Sequence, residues 1–180
     1  VKNISKTING EKILDNVSFV VKQDDKIAFL ADNENAKTVL FQIISGELEP
    51  DEGEIVWGTT ITHSYFPKDN SEFFDDVDLT LVDWLRQFAV GDVYEQDLRG
   101  WLGRMLFSGE EALKKANVLS GGEKVRCMLA KMMMANCNVL ILDEPTTSLS
   151  NEEVEHLFKV LRKMKEQGKS FIFISHKMPE

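Results

Sequence analysis

Apolar positions in the first third of the chain come in short runs. Residues 1–8, 17–21 and 26–30 predict strands, separated by turn residues such as Asn9-Gly10 and Asp24-Asp25. Asn9-Gly10 is a strong hairpin signal, because both residues tolerate the positive φ of a tight turn. Residues 38–44 predict a helix ended by Ser45-Gly46, and Pro50-Asp51-Glu52-Gly53 predicts a turn before strands near 54–57 and 61–66. The middle changes character. Thr80 and Asp83 predict a capped helix through about residue 88, and residues 93–106 predict a second. Ser108 with Glu111 caps a short third one. In the last third Ser120 caps a helix to about Ala135, and residues 138–142 read as a buried strand. Ser150 and Glu153 cap the next helix, where Val154, Leu157, Phe158, Leu161 and Met164 recur at helical spacing. Gly168 ends it, and residues 171–175 predict a final strand.

Strands alternating with helices predict an α/β fold with a mostly parallel core sheet. The hairpin region adds an N-terminal antiparallel β subdomain, and residues 78–118 form a helical insertion. At 180 residues the expected organisation is a single domain, residues 1–180. Val1 stands where an initiator Met would be, so a fragment is one expectation.

Composition narrows the function. A net charge of −9 argues against nucleic-acid binding over the whole surface. Lys114, Lys115, Lys124, Arg126 and Lys131 read either as a local basic patch or as a solvated helix face. No apolar run reaches membrane-spanning length, and no signal peptide is evident, so a cytoplasmic location is expected. Cys127 and Cys137 sit in apolar stretches without metal-ligand spacing and read as reduced core residues. The Met128, Met132, Met133, Met134 cluster reads as core packing.

Candidate chemistry concentrates in a few segments. Ala31-Asp32-Asn33-Glu34-Asn35-Ala36-Lys37-Thr38 follows a predicted strand and opens a helix, the context of a phosphate-binding loop. Lys37 would neutralise phosphates and the Thr38 hydroxyl would ligate Mg²⁺. Alanines stand where that pattern has glycines, so the loop alone reads equally as an ordinary strand–turn–helix. Asp143-Glu144 ends an apolar strand, where ligands bind in α/β sheets. Asp143 would hold Mg²⁺ through water, and Glu144 would orient or deprotonate the attacking water. In Leu119-Ser120-Gly121-Gly122-Glu123 the glycines permit close backbone approach to a phosphate, and the helix start offers N–H donors. His176 lies thirty-three residues after Asp143, beyond one helix and one strand, which suits a γ-phosphate contact. His63 and His156 read as surface or packing residues.

The order of these motifs resembles the nucleotide-binding domain of ATP-binding cassette (ABC) proteins, which are P-loop NTPases. The resemblance implies a nucleotide-binding loop at Asn33, Glu34, Asn35, Ala36, Lys37, Thr38 and Val39. It implies Lys68 at the Q-loop position, where the family has Gln, and a signature motif at Ser120, Gly121, Gly122 and Glu123 that serves a partner's nucleotide. It makes Glu144 and His176 catalytic, assigns Thr38 and Asp143 to Mg²⁺, and puts Ser150 where the D-loop Asp stands. Residues 1–145 look like the second cassette of the soluble ABC-F ATPases, which act on ribosomes; Glu123 in place of Gln is one mark. Residues 146–180 are similar to sugar-importer cassettes, and Thr147-Ser148-Leu149-Ser150 replaces the ABC-F Asn-His-Leu-Asp.

The implied function is slow ATP hydrolysis by a nucleotide-sandwich dimer, with ATP and Mg²⁺ bound. The second cassette would come from the same polypeptide or from a homodimer, and a ribosome is the further partner. The alternatives are the ATPase subunit of an importer paired with a membrane permease, and a module that binds nucleotide without hydrolysing it. The family usually continues beyond His176, so a C-terminally truncated cassette is expected.

Overall fold

Asn9 and Gly10 take positive φ values of 52° and 84°, and the chain reverses there. β1 (Lys2–Ile8) and β2 (Glu11–Val17) are thereby locked antiparallel, with Ile8 opposite Glu11. The second strand thus occupies 11–17 rather than the predicted 17–21. The two-residue turn fixes the register, and beyond Val17 the chain stays beside β1, the Phe19 N–H donating to the Val1 carbonyl at 3.2 Å and the Phe19 carbonyl accepting from the Val1 amino group at 3.1 Å. β3 (Glu52–Glu54) pairs with the other edge of β1, giving the order β2-β1-β3. It is shorter and earlier than the predicted 54–57. Gly53 has φ +90°, and a Cβ there would overlap the carbonyl oxygens of Lys2 and Asn3, so the close approach requires glycine.

The computed structural model describes residues 1–22, 29 and 33–174. The predicted strand at 26–30 lies, apart from Phe29, outside them. α1 (Glu34–Ser45) begins four residues before the predicted Thr38, because the Asn33 side chain accepts the Asn35 N–H at 2.9 Å and caps it. Gly46 closes it in the left-handed region, as Ser45-Gly46 predicts. Val39, Leu40, Phe41, Ile43 and Ile44 turn inward and form its apolar face.

The chain folds as two compact units, 1–61 and 62–180. The second is built on a parallel sheet ordered β4 (His63–Phe66), β5 (Val139–Asp143), β6 (Ser170–Ile174). All five residues of β5 are buried, as a central parallel strand covered on both faces requires. Parallel strands need crossovers. α5 (Asn151–Glu166) links β5 to β6. Between β4 and β5 run α2 (Leu81–Arg86), α3 (Glu95–Arg104) and α4 (Gly121–Met134), with 3₁₀ turns at Ser71–Phe73, Gly109–Leu113 and Ala116–Val118. The expected third helix of the insertion is therefore a 3₁₀ turn, although its Ser108–Glu111 capping box is present.

One core serves this unit. Trp84 is fully buried, stacked on Phe74 at 4.8 Å, and donates its indole N–H to the Phe73 carbonyl at 2.7 Å. Such a side chain stabilises by about 3–5 kcal/mol relative to alanine. Met128 and Met132 are buried, and Met133 and Met134 pack against the same core. Cys127 is buried, Cys137 half-buried, and both are free thiols. Burial pushes the Cys127 thiol up, against a smaller downward pull from Arg126.

The candidate basic residues of the insertion and of α4 each have a partner. Lys114 pairs with Glu123, Lys115 with Asp78 and Lys124 with Asp75; Arg126 lies 3.9 Å from Glu153, and Lys131 sits over Phe73 and Phe88.

Candidate nucleotide site

β5 carries Asp143 and Glu144 to the carboxyl end of the sheet. Asp143 closes the strand and has no exposed surface. Its Oδ2 lies 3.4 Å from the Tyr65 hydroxyl, which comes from the neighbouring strand. Glu144 takes φ +50°. Among the described non-glycine residues with positive φ, it and Leu106 are the two that are neither Asn nor Asp. Such a conformation costs about 1–3 kcal/mol and persists where its surroundings over-determine it. They do so here: the Glu144 N–H donates to the Ile174 carbonyl at 3.0 Å, and the Thr147 N–H returns to the Glu144 carbonyl at 3.3 Å.

Both oxygens of the Glu144 carboxylate are engaged. Lys68 Nζ lies 3.0 Å from Oε1, and the Thr147 hydroxyl lies 3.0 Å from Oε2. The Lys68 contact follows from sheet register. Phe66 pairs with Leu142, and Lys68 and Glu144 each stand two residues beyond that pair.

The same cleft, about 270 Å³, is bordered by Leu119 and Gly121 of the Gly-Gly turn and by Lys68, Glu144, Thr147 and Ser148. α4 starts here. Ser120 accepts the Glu123 N–H at 3.3 Å, and Glu123 returns a carboxylate oxygen to the Ser120 N–H at 3.0 Å. Burial alone would raise the Glu123 carboxyl. Hydrogen bonds from Lys114 and Ser120 outweigh it and hold Glu123 below its usual value. The glycines are there because of neighbours. A Cβ on Gly121 would stand 3.0 Å from Ser148 Cβ, and one on Gly122 would stand 2.6 Å from Glu153 Oε1. Glu153 cannot yield freely, because it closes the Ser150 capping box of α5. Asp69, on the rim, is held below the usual carboxylate range by the Ser71 hydroxyl and N–H.

The first unit presents the start of α1. Asn33 is its cap, Asn35 and Ala36 lie in its first turn, and Lys37 and Thr38 follow while half-buried. Ala36 and Val39 are buried. Lys37 is a cation near the positive end of a helix, an arrangement that is unfavourable without an anion and favourable with one. Ala31 and His176 lie outside the described residues, and of Glu34 only the backbone is described.

The donors fit a magnesium nucleotide by type. Mg²⁺ takes one or two carboxylates plus substrate phosphates rather than an all-protein cage. Asp143 offers a buried carboxylate, and among the described residues no group of three or more His, Cys, Asp or Glu side chains forms such a cage. Sequence reasoning missed Tyr65, Thr147 and Ser148 as site residues. The Thr147 role had a local signal, a hydroxyl three residues after Glu144 in a turn. Tyr65 needed the β4–β5 register.

The chain is similar in sequence and fold to known ATP-binding cassettes. The family model described as ABC transporter matches residues 14–147. YkpA of Bacillus subtilis (strain 168), an uncharacterized ABC transporter ATP-binding protein, is 57% identical over 98% of this chain and 32% of its own length. Ribose import ATP-binding protein RbsA of Shouchella clausii (strain KSM-K16) is 31% identical over 100% of this chain and 40% of its own. A dimeric post-hydrolysis state of the ATP-binding cassette MJ0796, bound to ADP and Pi, shares the fold with a TM-score of 0.81. It is 20% identical and covers 98% of this chain and 87% of that one. The chain spans about a third of the length of the curated relatives named here. Among the described residues, no helix is long and apolar enough to cross a membrane.

Proposed function

The chain belongs to the ABC transporter family of ATP-binding cassettes, and on that premise we propose that it binds ATP with Mg²⁺ and hydrolyses it slowly. The observation that carries the reading is Glu144, held in a left-handed backbone at the carboxyl end of β5 and facing the cleft bordered by Gly121. A carboxylate so fixed accepts the proton of an attacking water as its oxygen bonds to the γ-phosphorus and the bond to the ADP oxygen breaks. Positioning and charge stabilisation supply the rest of phosphoryl transfer. Lys37 answers phosphate charge, and His176 contacts the γ-phosphate. Bound Mg²⁺ neutralises phosphate charge, and Thr38 and Asp143 are the residues that would hold it.

The active form is a nucleotide sandwich, in which Ser120, Gly121 and Gly122 serve the nucleotide of a second cassette. That cassette is on the same polypeptide or on another copy, and the ABC-F type, working on ribosomes, is the reading we favour. Glu123 in the signature supports it. A second reading, an importer ATPase coupled to a membrane permease, draws on the 31% identity to RbsA along the whole chain.

The test is Glu144→Gln. A lost general base lowers turnover by about 10²–10⁴-fold. The variant is expected to retain ATP and to accumulate as a dimer on size exclusion with ATP and Mg²⁺. Monomer alone, or wild-type turnover, overturns the proposal. Co-sedimentation with ribosomes favours the first reading, and co-purification with a permease the second.

A further inference from the structure

The cleft holds an ion pair that the proposed hydrolysis does not use. Lys68 Nζ lies 3.0 Å from Glu144 Oε1, and the pair is asymmetric: the Glu144 side chain is 8% exposed and the Lys68 side chain 46%. The carboxylate is fixed by its backbone and by Thr147. The lysine reaches it on a flexible stem from just beyond β4, with much of its length in solvent. The other charged groups bordering the cleft have their own partners, Asp69 with Ser71 and Lys124 with Asp75.

We propose that Lys68 is a latch on Glu144: its ammonium occupies the carboxylate oxygen that would receive the water's proton, and turnover requires it to swing out. The inference rests on the reading of Glu144 as the water-activating base. A general base must have its acceptor oxygen within hydrogen-bond reach of the water. With Lys68 on Oε1 and Thr147 on Oε2, each oxygen carries a protein donor, and the charge that would attract the proton is neutralised. The lysine can leave without burying anything new, because nearly half of its side chain already meets solvent. The lysine is the moving part, since Glu144 is tied to β6 through its N–H. Lys68 is thus a positioning residue that holds the base in a resting state, and anything that draws the ammonium away, such as an anionic group entering the cleft, releases it.

Steady-state ATPase assays on wild type, Lys68→Gln, Lys68→Met and Lys68→Arg decide the matter, with thermal melts as the folding control. The latch predicts that Gln and Met each raise kcat about tenfold while KM stays within about twofold, since the change falls on the chemical step rather than on nucleotide binding. Arginine keeps the charge and is expected to fall well short of the Gln and Met rates. Methionine is the decisive variant, because it offers no polar contact of its own and can accelerate only by removing the latch. Folded Lys68→Met at or below the wild-type rate overturns the proposal, and so does Lys68→Arg as fast as Lys68→Met. Failure to detect turnover in any variant that still binds ATP overturns it too. The Lys68→Met/Glu144→Gln double variant separates the two readings. If it turns over as fast as Lys68→Met, Glu144 is not the base. If it is inactive while Lys68→Met matches wild type, the base stands and the latch falls.

Discussion

Glu123 and Glu144 sit near one cleft and are held in parallel ways. Each has a lysine on one carboxylate oxygen, Lys114 at 2.8 Å and Lys68 at 3.0 Å. Each has a second donor on the other oxygen, the Ser120 N–H for Glu123 and the Thr147 hydroxyl for Glu144. The backbones differ. Glu123 lies in the first turn of a regular helix, where its carboxylate satisfies an N–H that the helix itself leaves unbonded. Glu144 stands at φ +50°, and its carboxylate meets two side chains that border the cleft. Nearly identical side-chain contacts therefore serve opposite ends. One carboxylate supports the fold, and the other is kept at a backbone cost that the proposed chemistry would explain.

The sharpest way to break this contrast is to substitute both. Glu144→Gln keeps the shape and the backbone, so its melting temperature should stay within about 2 °C while turnover falls about a hundredfold or more. Glu123→Ala removes the reciprocal half of a capping box and should cost about 1 kcal/mol of stability. Denaturant melts read with the ATPase assay check both. A Glu144→Gln protein destabilised as much as Glu123→Ala would make the two residues equivalent and dissolve the distinction.

The Glu123 side of the contrast was legible in the sequence, and the Glu144 side only in part. Ser150-x-x-Glu153 and Ser108-x-x-Glu111 form the caps predicted for them, and Ser120, predicted as a cap by itself, closes a box with Glu123, because a cap is decided within four residues. The Asn9-Gly10 turn was legible for the same reason. The apolar run at 17–21 overlaps β2 only at Val17, because the bounds of a strand are set by the turn and the partner strand rather than by hydrophobicity. The Lys68–Glu144 pair spans 76 residues and arises from parallel register, which no local pattern carries. The left-handed conformation of Glu144 was equally hidden, since glutamate carries no preference for it.

A finer test concerns the joint between the two Ser-capped helices. Gly122→Ala puts a Cβ 2.6 Å from Glu153 Oε1, and Glu153 must leave the Ser150 cap to make room. The expected cost is about 1 kcal/mol, the value of a lost cap. In a Glu153→Ala background the methyl group meets no carboxylate, and the same substitution should cost less than about half as much. Equal costs in both backgrounds would place the clash elsewhere and loosen the link between the signature turn and α5.

The smallest effect isolates the charge on Glu123. Its folded-state carboxyl lies below the ordinary 4.5, because the Lys114 and Ser120 hydrogen bonds outweigh the burial that would raise it. A lowered folded value means stability that is present above about pH 4.5 and lost as the pH falls through the folded value. Lys114 is raised above 10.5, first by its hydrogen bond to Glu123, so its share is present below that value and lost as the pH rises through the folded one. The pair is whole between these limits. Glu123→Gln keeps a capping side chain and removes the charge, so its stability deficit against wild type should be constant near neutrality and vanish as the pH falls below about 4.5 and through the folded value. Melts across that range measure it. A deficit that persists at acid pH assigns the contribution of Glu123 to shape rather than charge, and its lysine would then be incidental. The parallel with Glu144 would be weaker for it, since there the lysine's charge is the whole of the argument.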